Sequence, residues 1–206
     1  MLEFEGNLMV FGLPLVGKTV LARNIFLNKL KEGYGGIYIT TNDTGEDVLE
    51  WFKDFNVDFK VIDCISKTIY PDAEDTDQIK RVASPIDLTG ISVWTSRFID
   101  SYFRTGKRDV IVLLDSLSTL LMYTNPQTVY RFLHVVTRRI KATKSKALYI
   151  VQKDMHDNRT ITTLKQMFDG IIEVKEENDK KFLRFISPTY KTDWIEFTIN
   201  KKTVVI

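Results

Sequence analysis

The sequence contains few of the residues that build disulfides and metal centres. Its 206 residues include one cysteine, Cys64, and two histidines, His134 and His156. One cysteine cannot form an internal disulfide, and this small set of soft ligands cannot build an ordinary structural zinc site. We therefore expect neither a disulfide-stabilised secreted domain nor a zinc enzyme.

Long apolar runs and an excess of one charge are also absent. The longest apolar runs, such as residues 110–114, fall far short of the ~20 residues that span a bilayer. Glu3 and Glu5 stand where a secretory signal would be basic. The net charge of +2, from 29 basic and 27 acidic residues, does not favour a nucleic-acid partner. These absences predict a cytoplasmic protein without membrane contact.

The composition is that of an ordinary globular protein. Hydrophobic residues make up 44% and charged residues 27% of the chain, close to average usage. A chain of this length can bury a full hydrophobic core without disulfides or metal ions to stabilise it. We therefore expect a single domain over residues 1–206.

Strand-like and helix-like segments alternate along most of the chain. Strands are predicted at 7–11, 37–40, 59–64, 109–115 and 147–152, and helices at 19–31, 45–52, 91–104, 126–143 and 161–168. Thr44 and Asn125 are predicted N-caps, and residues 66–90 a surface loop. Segments 171–176, 181–187, 194–199 and 203–206 favour hairpins at a sheet edge. The pattern predicts an α/β fold with a mainly parallel central sheet, helices on both faces and C-terminal antiparallel hairpins.

The strongest motif is GLPLVGKT at residues 12–19, between a predicted strand and a predicted helix. It matches the phosphate-binding P-loop pattern, in which glycines let backbone N–H groups surround a phosphate at a helix N-terminus. Lys18 would reach the β- and γ-phosphates, and Thr19 would ligate Mg²⁺. Leu15 and Val16 are bulkier than the usual residues, so the alternative is a loop that has lost this role. The predicted nucleotide-binding residues are Gly12, Leu13, Pro14, Leu15, Val16, Gly17, Lys18, Thr19 and Val20.

A P-loop requires a second part, an aspartate that holds the Mg²⁺ shell after a buried strand. Asp115 follows the apolar residues 110–114 and fits this role. Ser116 comes next and offers a further hydrogen bond. The predicted Mg²⁺ ligands are therefore Thr19 and Asp115.

Together with the P-loop, three further segments carry a family resemblance: GIYIT at 36–40, LDS at 114–116 and FDGIIEV at 168–174. The chain resembles the RecA superfamily, and specifically the KaiC-like ATPases widespread in archaea. The resemblance implies a RecA-like fold, binding of ATP with Mg²⁺, self-association with nucleotide near a subunit boundary, and a role in signalling, timing or recombination.

The chain departs from the family pattern at its catalytic positions. In the family, a catalytic pair of glutamates follows the second strand, and the corresponding residues here are Asn42 and Asp43. Asp43 is therefore the candidate general base. The alternative is that these residues only form the turn before the Thr44 cap. Lys191 is the nearest substitute for the family's trans-acting Lys-x-Arg pair. The resemblance implies that Gln152 senses the γ-phosphate. The alternative is that Gln152 is an exposed residue at the end of its strand. Because the sequence begins almost at its first predicted strand, we expect the packing segment of the family to be missing and do not expect a stable hexamer.

These observations predict an ATP·Mg²⁺-binding protein that acts as a regulatory or signalling switch with weak or absent hydrolysis. One alternative is an active oligomeric ATPase whose catalytic residues are Lys18, Asp43 and Gln152. Another is a recombination accessory protein that binds single-stranded DNA near residues 154–159. The protein partner is left open.

Overall fold

The computed structural model describes residues 4–206. Its strands are β1 (Gly6–Gly12), β2 (Gly35–Thr40), β3 (Lys60–Asp63), β4 (Ile79–Arg81), β5 (Val110–Asp115), β6 (Lys146–Gln152), β7 (Gly170–Glu177), β8 (Lys180–Ile186), β9 (Ile195–Asn200) and β10 (Thr203–Val205). Its helices are α1 (Lys18–Lys31), α2 (Gly45–Phe52), α3 (Ser66–Ile69), α4 (Leu88–Arg104), α5 (Leu117–Tyr123), α6 (Pro126–Ala142) and α7 (Asn158–Lys165).

All ten strands form one sheet in the order β10-β9-β8-β7-β1-β6-β5-β2-β3-β4. The strands from β7 to β4 in this order are parallel, and β8, β9 and β10 add antiparallel pairs at one edge. The predicted fold class is therefore confirmed.

The sheet separates two hydrophobic cores. Helices α1 and α2 pack on one face with residues such as Leu8 and Val10. Helices α4, α5, α6 and α7 pack on the other with residues such as Met9 and Phe11. Every residue of β5 is buried, which is the reason for its uninterrupted apolar sequence.

Two predicted helix starts have the expected caps. Thr44 and Asp47 form a reciprocal capping box at the start of α2. The Asn125 side chain accepts a hydrogen bond from the Thr128 N–H at 2.9 Å, and Pro126 is the first residue of α6. Local polar side chains thus fix both helix starts.

Residues 66–90 lie largely at the surface, as predicted, but they do not form one continuous loop. The segment contains α3 and β4, and α4 begins at Leu88 rather than Ile91. Locally, Asp63 accepts hydrogen bonds from the N–H groups of Ile65 and Ser66 at the start of α3. The tertiary contribution is the pairing of β4 with β3. A sequence pattern rarely reveals a three-residue strand.

Two further details differ from the prediction. Helix α5 was not expected. Helix α7 begins earlier than position 161, because Asp157 caps it by accepting the Thr160 N–H at 2.8 Å. In residues 4–206 no helix combines the length and apolar character needed to cross a bilayer.

Candidate functional site

The sequence-predicted residues meet at the carboxyl edge of the parallel strands. Gly12 at the end of β1 is paired in register with Gln152 at the end of β6. Thr40 at the end of β2 is paired with Asp115 at the end of β5. Parallel α/β sheets bind their ligands at this edge. Residues far apart in sequence therefore lie around one location.

The loop between β1 and α1 has the conformation that its glycines predict. Gly17 precedes α1 in the left-handed region, with φ 92°. A Cβ atom on Gly12 would lie 2.6 Å from the Val174 carbonyl oxygen, so only glycine fits there. Leu13 and Pro14 are exposed, while Thr19 and Val20 are half-buried in the first turn of α1.

The two bulky loop residues do not fill the loop. Leu15 adopts φ 63° and is 96% exposed, whereas Val16 is buried and joins the α1 core. One side chain thus lies in solvent and the other beneath the loop. The size of these residues is therefore compatible with a phosphate-binding loop.

Lys18 is held inside the loop. It is 5% exposed, and its Nζ donates a hydrogen bond to the Leu13 carbonyl oxygen at 2.9 Å. Burial lowers the pKa of Lys18, and the negative charge of Asp115 opposes that shift. An ammonium group has three donors, and this contact uses one of them. The loop therefore holds a positive charge next to the Asp115 carboxylate.

Asp115 belongs to a buried polar cluster, the Arg23 cluster, which consists of Arg23, Tyr38, Asp43 and Asp115. Asp115 Oδ2 accepts a hydrogen bond from the Tyr38 hydroxyl at 2.6 Å and one from Arg23 Nη2 at 3.4 Å. Burial raises the pKa of Asp115, while Arg23 and Tyr38 oppose the rise.

The sequence prediction missed Arg23 and Tyr38. Both are buried, on α1 and in the middle of β2 respectively. The available signal was a tyrosine within the apolar strand β2, whereas Arg23 is one of four basic residues on α1. Neither indicates a partner, because Asp115 is 77 positions beyond Tyr38.

The two candidates for the catalytic pair have different surroundings. Asp43 Oδ2 accepts a hydrogen bond from Arg23 Nη2 at 2.7 Å, and its side chain is 45% exposed. Asn42 Oδ1 instead accepts a hydrogen bond from the Thr119 hydroxyl at 2.6 Å. Asp43 therefore faces the Arg23 cluster, whereas Asn42 attaches the turn after β2 to α5.

Gln152 and Ser116 are fixed by backbone contacts. The Gln152 N–H donates to Ser118 Oγ at 2.8 Å, and the Gln152 side chain is half-buried beside Gly12. The Ser116 N–H donates to Thr41 Oγ1 at 2.8 Å, and its hydroxyl caps α5. Ser116 thus connects β5 to β2.

The C-terminal strands flank the loop, which the sequence did not predict. A Cβ atom on Gly17 would lie 2.4 Å from Cδ1 of Ile199 in β9. The Asn24 side chain donates to the Lys202 carbonyl oxygen at 2.8 Å and accepts the Val204 N–H at 3.1 Å. These contacts attach the β9–β10 turn to α1.

Lys191 lies away from the loop of its own chain. It forms an isolated bridge with Ile186, which is paired with Ile171 near the start of β7. Strand β7 runs parallel to β1, so its start lies toward the amino-terminal ends of the strands, opposite the end that carries the loop. Lys191 therefore does not lie beside Lys18 in the same chain.

The loop after β6 lines a cleft of ≈410 Å³ that also reaches Gly12 of the nucleotide loop, and the DNA hypothesis places its contact here. The cations that line this cleft are Lys153, Lys165, Lys175 and Arg184. Lys175 pairs with Glu177, and Arg184 with Glu173. The excess of positive charge is small, so this cleft supports nucleic-acid binding weakly.

The donor set suits a cation that takes most of its ligands from elsewhere. In residues 4–206, no three His, Cys, Asp or Glu side chains form a metal-binding group. Mg²⁺ is commonly held by one or two carboxylates together with phosphate and water. Both contacts to Asp115 from the Arg23 cluster fall on Oδ2. Asp115 Oδ1 therefore has room for such a role.

Comparison with known proteins gives a family and a fold. A family model described as "Family of unknown function (DUF7504)" matches residues 6–174. No curated protein matches the sequence.

Two solved structures from Pyrococcus horikoshii have similar folds. One is the uncharacterized protein PH0321 in complex with an unknown peptide, with a TM-score of 0.73 and 9% identity over 98% of this chain and 92% of that chain. The other is the KaiC-like protein PH0186, with a TM-score of 0.64 and 13% identity over 97% of this chain and 88% of that chain. The likeness confirms the expected α/β fold, which matches that of the KaiC-like structure.

Proposed function

The chain belongs to the family of unknown function DUF7504. For this chain we propose, from the geometry of its candidate site, that it binds ATP with Mg²⁺. We further propose that it is a nucleotide-dependent regulatory or signalling switch with weak or absent hydrolysis. The observation that carries this proposal is Lys18, a buried cation held in the loop by the Leu13 carbonyl oxygen and facing the charge of Asp115.

The roles of the site residues follow from their chemistry. The N–H groups of residues 15–19, at the N-terminus of α1, would bind the phosphates, and Lys18 would contact the β- and γ-phosphates. Thr19 and Asp115 would hold Mg²⁺, which neutralises phosphate charge when bound. Gln152, paired with Gly12, is the candidate sensor of the γ-phosphate.

Weak hydrolysis is supported by the contacts of the candidate catalytic residues. Asp43 is paired with Arg23, and Asn42 with Thr119. A general base must come within hydrogen-bond distance of the attacking water, and one of the two carboxylate oxygens of Asp43 is already bonded to a guanidinium group. A site that binds a triphosphate without cleaving it suits a switch better than a motor.

The preference for ATP and the homo-oligomer rest on the family resemblance. Leu13, Pro14 and Leu15 are exposed at the outer side of the loop, and this supports a nucleotide close to a subunit boundary. The alternative of an active oligomeric ATPase requires that a second copy supply the cation that Lys191 does not provide within its own chain.

The first prediction concerns binding and turnover. ATP should bind in calorimetric titrations with Mg²⁺, while phosphate release should stay near background over a wide range of protein concentrations. Release that rises faster than linearly with protein concentration would instead indicate a site completed between subunits, and would favour the oligomeric ATPase. Failure to bind any nucleoside triphosphate would overturn the proposal.

The second prediction concerns pH. Because burial lowers the pKa of Lys18 below 10.5, the free protein should lose this charge at a lower pH than an ordinary lysine. ATP affinity should therefore fall as the pH rises through that lowered pKa, and binding should take up a proton in this alkaline range. Stability without nucleotide should change in the opposite direction, because the unfolded chain binds more protons there.

Calorimetry in buffers with different ionisation enthalpies measures this proton uptake directly. A Lys18→Met variant, which has no proton to take up at this position, is the control. Proton uptake of equal size in the variant would show that another group is responsible.

A further inference from the structure

Arg23 connects the two carboxylates of the candidate site. Its Nε donates to the Tyr38 hydroxyl at 2.8 Å, and its Nη2 donates to Asp43 at 2.7 Å and to Asp115 at 3.4 Å. The guanidinium carbon also lies 5.3 Å from the centre of the Trp51 ring. Arg23 is therefore held by hydrogen bonds, charge and stacking together.

The contacts of Arg23 affect its two carboxylates unequally. Arg23 bonds only Oδ2 of each carboxylate, and its contact with the buried Asp115 is the longer one, so Asp115 can still face a hydrated metal ion with Oδ1. Asp43 is half-exposed and forms the shorter, charge-assisted hydrogen bond. The pairing therefore draws the candidate base toward α1 and leaves the candidate metal ligand in place.

We propose that Arg23 is a positioning residue that restrains hydrolysis by holding Asp43 away from the attacking water. The inference rests on the proposed function, because it concerns the same nucleotide site. Arg23 thereby contributes to binding without cleavage: it balances the charge of Asp115 and occupies the one acidic residue of the 42–43 pair.

The restrained step is the attack of water on the γ-phosphate. The water oxygen forms a bond to the γ-phosphorus, and the bond to the β–γ bridging oxygen breaks with its electron pair remaining on ADP. The water proton passes to the carboxylate of Asp43, which must be free of Arg23 to accept it. Release of Asp43 from Arg23 therefore precedes proton transfer.

The third prediction uses Arg23→Lys. Lysine keeps the positive charge, but its single nitrogen ends near the position of the guanidinium carbon and cannot span both Tyr38 and Asp43. Single-turnover phosphate release should rise about 10- to 100-fold, because release from Arg23 restores at most a part of the roughly 10²- to 10⁴-fold that a general base contributes. ATP affinity should change by less than about threefold, a free-energy difference below ~0.7 kcal/mol.

Two further variants separate positioning from general loosening of the structure. Arg139→Lys is the matched control, because Arg139 also pairs with a carboxylate, Asp100, and joins α6 to α4 away from the nucleotide site. It should leave phosphate release unchanged. The double variant Arg23→Lys/Asp43→Asn should return to the wild-type rate, because the released base is then missing.

The outcomes distinguish the two proposals. If wild type fails to bind ATP, the proposed function is wrong. If Arg23→Lys folds, binds ATP and releases phosphate at the wild-type rate, the positioning role is wrong and the proposed function stands. An equal rate in the single and double variants also overturns it. Should Arg23→Lys not fold, Tyr38→Phe removes the hydroxyl that orients Arg23, and an unchanged rate in that folded variant overturns the role.

Discussion

Lys18→Met is expected to weaken ATP·Mg²⁺ binding by about 100-fold, with no loss of melting temperature. A buried, charge-assisted contact to phosphate contributes roughly 1.5–3 kcal/mol, which corresponds to about 10- to 150-fold in affinity. The other proposed phosphate contacts would come from backbone N–H groups, which do not depend on this side chain. Calorimetric titration with ATP and Mg²⁺ measures the change.

Stability should not fall, because Lys18 is a buried cation with a single hydrogen bond to a loop carbonyl. Burial lowers its pKa, which means that the folded protein disfavours the charge. Methionine fills similar space without that cost. A large fall in melting temperature would show that Lys18 has a structural role.

Lys29→Met provides the matched control for this prediction. Lys29 is a second buried lysine at the far end of α1, where it pairs with Glu32. Its replacement should leave ATP affinity unchanged. Equal loss of affinity in both variants would contradict a phosphate site at the loop.

Asp63→Ala is expected to cause the largest loss of stability, about 3 kcal/mol or more. Asp63 is completely buried at the end of β3. It accepts hydrogen bonds from the N–H of Gly45 at 2.8 Å, of Ile65 at 2.8 Å and of Ser66 at 2.9 Å. Alanine leaves these donors without an acceptor, and each orphaned buried donor costs roughly 1–3 kcal/mol.

The melting temperature should fall by about 6–12 °C for that loss in a protein of this size. Asp63→Asn keeps one carbonyl acceptor and should fall less. Asp54→Ala removes an exposed carboxylate that pairs with Lys202, and its effect should be close to zero. If Asp63→Ala has the same melting temperature as Asp54→Ala, the buried carboxylate does not stabilise the fold.

The Asp63→Ala substitution should also affect the candidate site. The Gly45 N–H that Asp63 accepts lies at the start of α2, directly after the turn that carries Asp43. Loss of Asp63 should therefore loosen the Asp43 turn. The sequence gives no sign of this link, because Asp63 reads as an ordinary residue at a strand end.

The local features of the fold could be predicted from the sequence alone. The P-loop, the strand and helix on either side of it, the Thr44 capping box and the Asn125 cap each depend on residues within a few positions of one another. Asp115 was found because an uninterrupted apolar strand precedes it, and such strands are buried on both faces in parallel sheets. Short-range patterns of this kind predict local backbone geometry and burial, because the residues that determine them are close together in the sequence.

Only the tertiary structure decided which residues meet. Arg23 and Asp115 are 92 positions apart, and Asn24 contacts Val204 from 180 positions away. The sheet order inserts β1 between β6 and β7, and this order brings the C-terminal strands to the loop. Hydrogen bonds between distant side chains leave no periodic trace in a sequence, because burial and partner choice arise only when the strands are placed side by side.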